Sequence, residues 1–492
     1  MRSTTSICIT AILTVAVTLL ISLMVPTQLA AQEQPNSHLR YELVVIGTFG
    51  GPSSFSFFGQ ARSLNNHGTL VGLANTSTPD PNYPNSNPLV GQDPFIEHGF
   101  LWRNDEVTDL GALPGVNSSN VSWVNDSGVA VGVSTTGSLD PIIGFPAANA
   151  VVWIGRNIFN LGTLEGGYES LATGINNSGQ ITGIFSNSTP DANSIFGLGT
   201  QTRSFLWQNG SMQDIGTLGG PDAFAQLIND QGQIAGISYD SALDVIPFLW
   251  QKGKMVGLSL GGTGGGVGWL NNRGQVVGLS NLPGDTTAHP FIWTEAEGIK
   301  DLGTLGGTFG FANWINENGE VVGAAFNQGD QALLAFLWKD GVMVSLGTVD
   351  GDPCSLAISI NSRGQVVGSS VTNCNSDSGR AFLWEHGGPM IDLNTFVPAG
   401  SGLTLTQGAY INDRGEILAT GVLPDGDTRA VLLIPCDAEH GDLEECQDES
   451  AGGGVVRQAS APRSVFGATP HLPAWQRVGH FRIPQNVASP RN

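Results

Sequence analysis

Basic residues are scarce in this 492-residue sequence, which has 20 Lys and Arg against 42 Asp and Glu. The formal net charge of −22 would repel the phosphates of nucleic acids and of anionic lipids, so neither is an expected partner. Charged residues make up only 13% of the chain, whereas there are 68 glycines. This composition disfavours a helical protein and favours many short strands joined by tight turns.

Long apolar runs are also lacking, apart from residues 7–25. Arg2 precedes that run and the small residues Ala30 and Ala31 follow it, which is the layout of a secretory signal peptide. We predict a signal peptide over residues 1–31, a linker over 32–40, and a secreted, periplasmic or cell-surface protein without further membrane insertion. An uncleaved anchor is the alternative, because the apolar run is long for a signal.

Cysteines number only five, and Cys8 lies within the signal segment. The other four form two pairs that are close in sequence, and an oxidising compartment favours disulfides. We therefore predict one bridge between Cys354 and Cys374 and another between Cys436 and Cys446. Four unpaired small apolar residues are the alternative interpretation.

Motifs for catalysis or metal binding are missing as well. The eight histidines lack metal-ligand spacing, and no serine lies in a nucleophile-elbow sequence. The glycine-rich run 261–266 leads into another strand, whereas a phosphate-binding loop needs a helix. Asp350 and Asp352, like Asp425 and Asp427, lack the longer ligand series of a calcium loop and are predicted to form turns. We predict no catalytic residue, metal or cofactor.

What the sequence does contain is a repeat. An Asn-x-x-Gly signature is followed by an apolar strand such as GQVVG, an aromatic run such as AFLW, and a segment such as KDLGTLGG. Its asparagines recur at intervals of 42 to 60 residues: Asn65, Asn125, Asn176, Asn229, Asn271, Asn316, Asn361 and Asn412. Repeats of this length, each with a hairpin turn, are typical of propeller blades and not of parallel solenoids.

The eight units predict an all-β fold, an eight-bladed β-propeller of four-stranded antiparallel blades over residues 41–435. The segment 41–51 resembles a fourth strand without the preceding three, while the last unit has three strands and lacks the fourth. An N-terminal strand that completes the last blade would close the ring, and seven blades is the alternative count. Residues 436–492, first acidic and then rich in Arg, Gly and Pro, lack the repeat and are predicted to be disordered.

The units resemble the extracellular HAF repeats of bacterial exported proteins, over roughly residues 41–435. The matching runs are HGFLW from His98, HPFIW from His289, RSFLW from Arg203 and RAFLW from Arg380, each followed by a segment of the DLG type. The resemblance implies an exported, propeller-like protein, but it carries no established activity. Most units lack the histidine, so it is not predicted to be catalytic.

The position two residues before each repeat asparagine varies, and repeat proteins encode specificity at such positions. Four aromatic residues found there are candidate binding residues, because aromatic rings stack on sugars: Trp123, Trp269, Trp314 and Tyr410. The alternative is that they fill the core between blades. The loops between the second and third strands are longest in the first three units, which predicts a raised rim opposite the Asn-x-x-Gly turns. Neutral insertion is the alternative origin of these loops.

These observations favour a non-catalytic binding protein for a glycan, a cell-envelope component or another protein. An extracellular hydrolase or lyase with its site at the channel mouth is an alternative, since propellers host enzymes whose residues come from several blades. A purely structural surface protein is a third possibility.

Overall fold

The computed structural model describes residues 40–56, 61–164, 166–374, 379–436 and the strand Val456–Gln458. The predicted signal peptide, Cys446 and most of the C-terminal tail lie outside the described residues. Within the described part of the chain, no helix is long and apolar enough to cross a membrane.

Strand β1 (Tyr41–Val45) precedes the first complete blade. Blade 1 contains β2 (Gly50–Phe55), β3 (Leu70–Pro79), β4 (Phe95–Arg103) and β5 (Glu106–Asp109). Blade 2 contains β6 (Ser119–Val124), β7 (Ala130–Leu139), β8 (Pro146–Ile154) and β9 (Asn157–Gly162). Blade 3 contains β10 (Ser170–Ile175), β11 (Ile181–Pro190), β12 (Thr200–Gln208) and β13 (Ser211–Asp214). Blade 4 contains β14 (Gly219–Ile228), β15 (Ile234–Asp240), β16 (Val245–Gln251) and β17 (Lys254–Gly257).

The second half of the ring follows the same order. Blade 5 contains β18 (Gly265–Leu270), β19 (Val276–Asn281), β20 (Ala288–Thr294) and β21 (Gly298–Asp301). Blade 6 contains β22 (Gly306–Ile315), β23 (Val321–Asn327), β24 (Leu333–Lys339) and β25 (Val342–Gly347). Blade 7 contains β26 (Cys354–Ile360), β27 (Val366–Val371), β28 (Arg380–Trp384) and β29 (Ile391–Asp392), followed by a 3₁₀ turn, Leu393–Phe396. Blade 8 begins with β30 (Thr404–Ile411), β31 (Ile417–Val422) and β32 (Thr428–Pro435).

Strand β1 supplies the missing fourth strand of blade 8. It pairs antiparallel with β32, from Tyr41 opposite Pro435 to Val45 opposite Val431. Five four-stranded sheets, one five-stranded sheet and one eight-stranded sheet that spans two blades make eight blades in all. The predicted fold, blade count and ring closure are confirmed. Three tail residues, strand β33 (Val456–Gln458), add a fifth strand to blade 8 by pairing parallel with β1.

In blades 1 to 7 the run that ends in tryptophan forms the third strand and contributes to the core. Phe248 of blade 4 lies opposite Gly236 of the second strand and is fully buried. A Cβ on Gly236 would lie 2.0 Å from the Phe224 carbonyl oxygen, so only glycine fits at that point of the sheet. The equivalent fully buried residues of other blades are Phe100, Phe205, Phe291, Phe336 and Phe382. Of the tryptophans two positions later, Trp102, Trp153, Trp250 and Trp384 are buried and the other three are half-buried.

The basic residue of the HAF-like runs contacts the aspartate of the next DLG segment. Nδ1 of His98 lies 3.0 Å from Asp109, and Nδ1 of His289 lies 2.9 Å from Asp301. Arg203 forms the corresponding pair with Asp214 at 2.9 Å. The two motifs recur together because their side chains pair between the third and outermost strands of a blade.

A disulfide joins Cys354, at the start of β26, to Cys374, in the loop after β27, with a Cα–Cα distance of 5.4 Å. This confirms the first predicted bridge and places the blade linker and the loop between the second and third strands on one face. Cys436 is also disulfide-bonded, and its predicted partner Cys446 lies outside the described residues.

The acidic turns are occupied by the protein's own groups. Arg380 lies 3.1 Å from Asp350 and 2.8 Å from Asp352, while Asp425 accepts a hydrogen bond from the backbone N–H of Asp427. Among the described residues, no group of three or more His, Cys, Asp or Glu side chains could hold a metal ion.

Candidate functional site at the channel mouth

The eight repeat asparagines form a closed ring of hydrogen bonds around the channel, which we call the asparagine ring. Each Nδ2 donates to the backbone carbonyl of the next repeat asparagine at 2.9 to 3.1 Å. The ring closes where Asn412 donates to Asn65. All eight side chains are buried, so each pair of neighbouring blades shares one satisfied buried hydrogen bond at this level.

The same side chains also fold each Asn-x-x-Gly turn. Oδ1 of Asn271, for example, accepts from the backbone N–H groups of Arg273 and Gln275 at 3.1 and 3.0 Å. Gly274 completes the turn at φ +76°, a conformation that favours glycine. The turns define one face of the propeller, which we call the turn face; the opposite face, with the loops between second and third strands, is the loop face.

The residue after each repeat asparagine forms a second ring at the entrance, the mouth ring. It alternates between carboxyl groups and amide or hydroxyl groups: Asn66, Asp126, Asn177, Asp230, Asn272, Glu317, Ser362 and Asp413. In six of these positions the backbone N–H donates to the side-chain oxygen of the next member at 2.8 to 3.2 Å. Asn177 also donates to Asp126 and Asp230 through Nδ2, at 2.8 and 3.1 Å. The carboxylates are thereby held in place before any ligand arrives.

The four aromatic residues predicted to bind ligand come together beneath the mouth ring. Trp269 stacks on Trp314 with ring centroids 3.4 Å apart, and Trp123 stacks on Trp269 at 5.4 Å. Tyr410 meets Trp314 edge-on at 5.1 Å. Their exposed fractions are only 3 to 8%. The rings therefore form an aromatic floor that packs mainly on itself.

Arg62 joins the floor to the rim. Its guanidinium lies 2.6 Å from the Asp126 carboxylate and also makes a side-chain hydrogen bond with Tyr410. Burial raises the pKa of Tyr410 above its ordinary value of 10.0, so its phenol is protonated at neutral pH.

These groups line a cavity that opens at the turn face. Seven of the eight mouth-ring residues and all four floor aromatics line it. The mouth ring offers both hydrogen-bond acceptors and donors above the apolar aromatic floor, a combination suited to a polar ligand.

The sequence predicted the floor aromatics but missed the mouth ring. The sequence did contain a pattern that indicates the mouth ring, because the first x of Asn-x-x-Gly is Asp, Glu, Asn or Ser in every repeat. Those residue types are also common in turns, so composition alone did not separate the two roles.

On the loop face, the long loops of the first three blades fold inward. Leu89 and Val90 from the blade 1 loop, with Phe196 and Leu198 from the blade 3 loop, lie in an apolar cluster with residues of the inner strands. Phe196 contacts Phe224 edge-on at 5.0 Å. The predicted rim is thus anchored by buried side chains.

Buried carboxyl groups support these loops. Oε2 of Glu169 accepts from Asn87 Nδ2 at 2.7 Å and from the Ala148 backbone N–H at 2.9 Å. Burial raises the pKa of Glu169 to about 8, helped by the nearby Asp140 carboxylate. Asp222 accepts from the backbone N–H groups of Ile195 and Thr202, both at 2.8 Å.

Comparison with known proteins yields similarity of structure alone. No protein-family model matches the sequence, and no curated protein matches it. Among solved structures, the chain is similar to the β-propeller domain of the trilobed protease from Pyrococcus furiosus, with 8% identity, a TM-score of 0.39, and coverage of 64% of this chain and 93% of that one. It is also similar to a puromycin-hydrolysing peptidase from Mycobacterium tuberculosis, with 11% identity, a TM-score of 0.40, and coverage of 67% and 54%. It is similar as well to dipeptidyl peptidase 4 from Porphyromonas gingivalis, with 8% identity, a TM-score of 0.39, and coverage of 75% of this chain and 51% of that one. The chain spans about half the length of these two peptidases.

Proposed function

We propose that this protein is an exported, non-catalytic binding module that takes a polyhydroxylated ligand, a glycan, at the turn-face mouth of its channel. The observation that carries the proposal is the mouth ring, in which carboxylates and amides alternate above an aromatic floor in one cavity. Sugars present many hydroxyls, each both donor and acceptor, and such a ring can pair with them in either sense.

The floor contributes shape and one further donor. Among the described residues, the buried indole N–H of Trp123 has no hydrogen-bond partner, although Trp123 lines the cavity. A ligand hydroxyl reaching the floor would satisfy it. Because the aromatic faces stack on each other, we assign recognition chiefly to the mouth ring.

Export and membership of the HAF-repeat family belong to the same proposal. The disulfide between Cys354 and Cys374 supports an oxidising compartment, and the paired basic and DLG motifs support the resemblance. A cell-envelope component or another protein is the alternative ligand.

A glycan array tests the proposal. We expect the wild-type protein to bind a restricted set of glycans, and the double variant Asp230→Ala/Glu317→Ala to lose at least tenfold in affinity because two mouth-ring acceptors are gone. Asp244→Ala, which removes a carboxylate from the blade 4 loop on the loop face, should bind as the wild type does. No glycan binding, or equal binding by all three proteins, would reject the proposal, and a fully silent array would favour a structural role.

A hydrolase or lyase is the second candidate function. It is favoured by the carboxylates Asp126, Asp230, Glu317 and Asp413 together with the Arg62–Tyr410 pair at the channel mouth. A general acid and base could be drawn from such a set. If array-positive glycans are cleaved on incubation, and Asp126→Asn or Tyr410→Phe abolishes cleavage while binding persists, this candidate replaces the binding module.

A further inference from the structure

A separate acidic cleft lies on the loop face, between the long loop of blade 1 and the start of blade 2. It is narrow and opens to solvent. Asp80, Asp93 and Glu97 line it, together with polar residues such as Asn82 and Thr135. We call this the loop-face cleft. It involves no member of the mouth ring or of the aromatic floor.

Glu97 is the unusual member of the cleft. Glu97 lies on β4 and is only 6% exposed. Its backbone N–H donates a hydrogen bond to Ser118 Oγ. Its carboxyl, in contrast, accepts no hydrogen bond from the described residues. Burial raises the pKa of the Glu97 carboxyl well above its ordinary value, and the charges of Asp93 and Asp80 raise it further. A buried carboxyl without a partner is costly unless something occupies the cleft.

The other two carboxylates are held by the backbone of the loop. Oδ1 of Asp80 accepts from the Asn82 backbone N–H at 2.8 Å, and Oδ1 of Asp93 accepts from the Phe95 backbone N–H at 2.9 Å. Both side chains are therefore fixed in position next to Glu97. The Asp80 and Asp93 carboxylates are therefore oriented acceptors before any ligand binds.

The geometry favours a cation that makes hydrogen bonds over a bare metal ion. Among the residues that the structure describes, no three carboxylates converge closely enough to hold a metal. An ammonium or guanidinium group spans more widely spaced acceptors, because its N–H···O contacts are about 2.7–2.9 Å on each side.

We propose that the loop-face cleft binds an alkylammonium or guanidinium group of a ligand, with Glu97, Asp80 and Asp93 as acceptors. The cation would give the Glu97 carboxyl the partner that it lacks. Its arrival favours the ionised carboxylate, because an adjacent positive charge stabilises the negative form of the Glu97 side chain. Lysine-like and arginine-like groups are the two sources of this chemistry, and the probes below separate them.

Isothermal titration calorimetry with n-butylammonium and n-butylguanidinium tests the proposal. The full-length protein at pH 7 should bind at least one probe. Tetramethylammonium, which has the charge but no N–H donor, should bind at least tenfold more weakly. Equal binding of tetramethylammonium, or no binding of either probe, would overturn the proposal.

Matched variants locate the site. Glu97→Gln should weaken probe binding at least tenfold, whereas Glu106→Gln, on the exposed outer strand of the same blade, should leave it unchanged. Glu97→Gln should not lower the melting temperature, because glutamine has nearly the size of glutamate and carries no charge that burial disfavours. Unchanged binding by Glu97→Gln would reject the site, and so would tighter binding of Ca²⁺ than of either probe. An unaltered glycan profile of Glu97→Gln is expected, so failure here is distinguishable from failure of the glycan proposal.

Discussion

Glu169 is one residue on which the packing of several blades depends. Its carboxyl connects Asn87 of the blade 1 loop with the backbone of Ala148 in blade 2, while the residue itself precedes the first strand of blade 3. Asp140, from the blade 2 loop, lies close enough to disfavour its ionisation. The folded state therefore holds a proton on Glu169 at a pH where the unfolded chain has lost it.

This predicts a stability change with pH. The ordinary pKa of 4.5 applies to the unfolded chain, and burial raises the folded pKa to about 8. Between these values the folded state binds more protons, so this group's contribution to the free energy of unfolding falls as pH rises, by at most about 1.4 kcal/mol per pH unit. Glu169→Gln removes that titration. Its melting temperature, measured from pH 5 to pH 8, should fall less steeply than that of the wild type, and parallel curves would contradict the assignment.

The Asn-x-x-Gly turn is the element that connects one blade to the next. A single asparagine side chain closes its own turn through Oδ1 and reaches the neighbouring blade through Nδ2. For Asn271 the second contact is 3.0 Å to the Asn316 carbonyl. The repeat motif therefore encodes a local turn and a tertiary contact with one residue.

We expect Asn271→Ala to lower the free energy of unfolding by about 2–4 kcal/mol, because several buried backbone groups lose their partners. Asn157→Ala, at an exposed position at the start of β9, is the matched control and should change little. Chemical denaturation monitored by tryptophan fluorescence measures both. A loss for Asn271→Ala no larger than that of the control would show that the asparagine ring adds little to stability.

At the scale of the whole molecule, the propeller is one closed ring whose ends meet in blade 8. Tyr41, Leu43, Val44 and Val45 of β1 are all buried, and pairing with β32 covers an edge that would otherwise be exposed. The asparagine ring closes at the same junction, through Asn412 and Asn65. Opening the junction removes both contacts at once.

Deletion of residues 41–47 should therefore destabilise all eight blades together, seen as a lower melting temperature in a single transition. A milder variant, Leu43→Ala, should cost about 2–5 kcal/mol through the cavity it leaves. Val342→Ala, on the outermost strand of blade 6 and 60% exposed, is the control. Near-wild-type stability after the deletion would mean that the ring does not depend on this closure.

The repeat determined the blade number, the strand order and the ring closure, because each depends on local patterns and on counting units. It also placed Cys354 and Cys374 on one face, since alternate loops of a four-stranded blade open on the same side. These features could therefore be predicted before any contact between distant residues was known.

Only the tertiary structure decided what the repeat residues do once eight blades are closed. Trp123, Trp269 and Trp314 are far apart in sequence, and only ring geometry stacks them into a common floor. The mouth ring likewise arises between blades, and the burial of Glu97 beside Asp80 and Asp93 is set by the packing of the blade 1 loop. Sequence determines which side chains are present at each repeat position, but the curvature of the closed ring determines which of them meet.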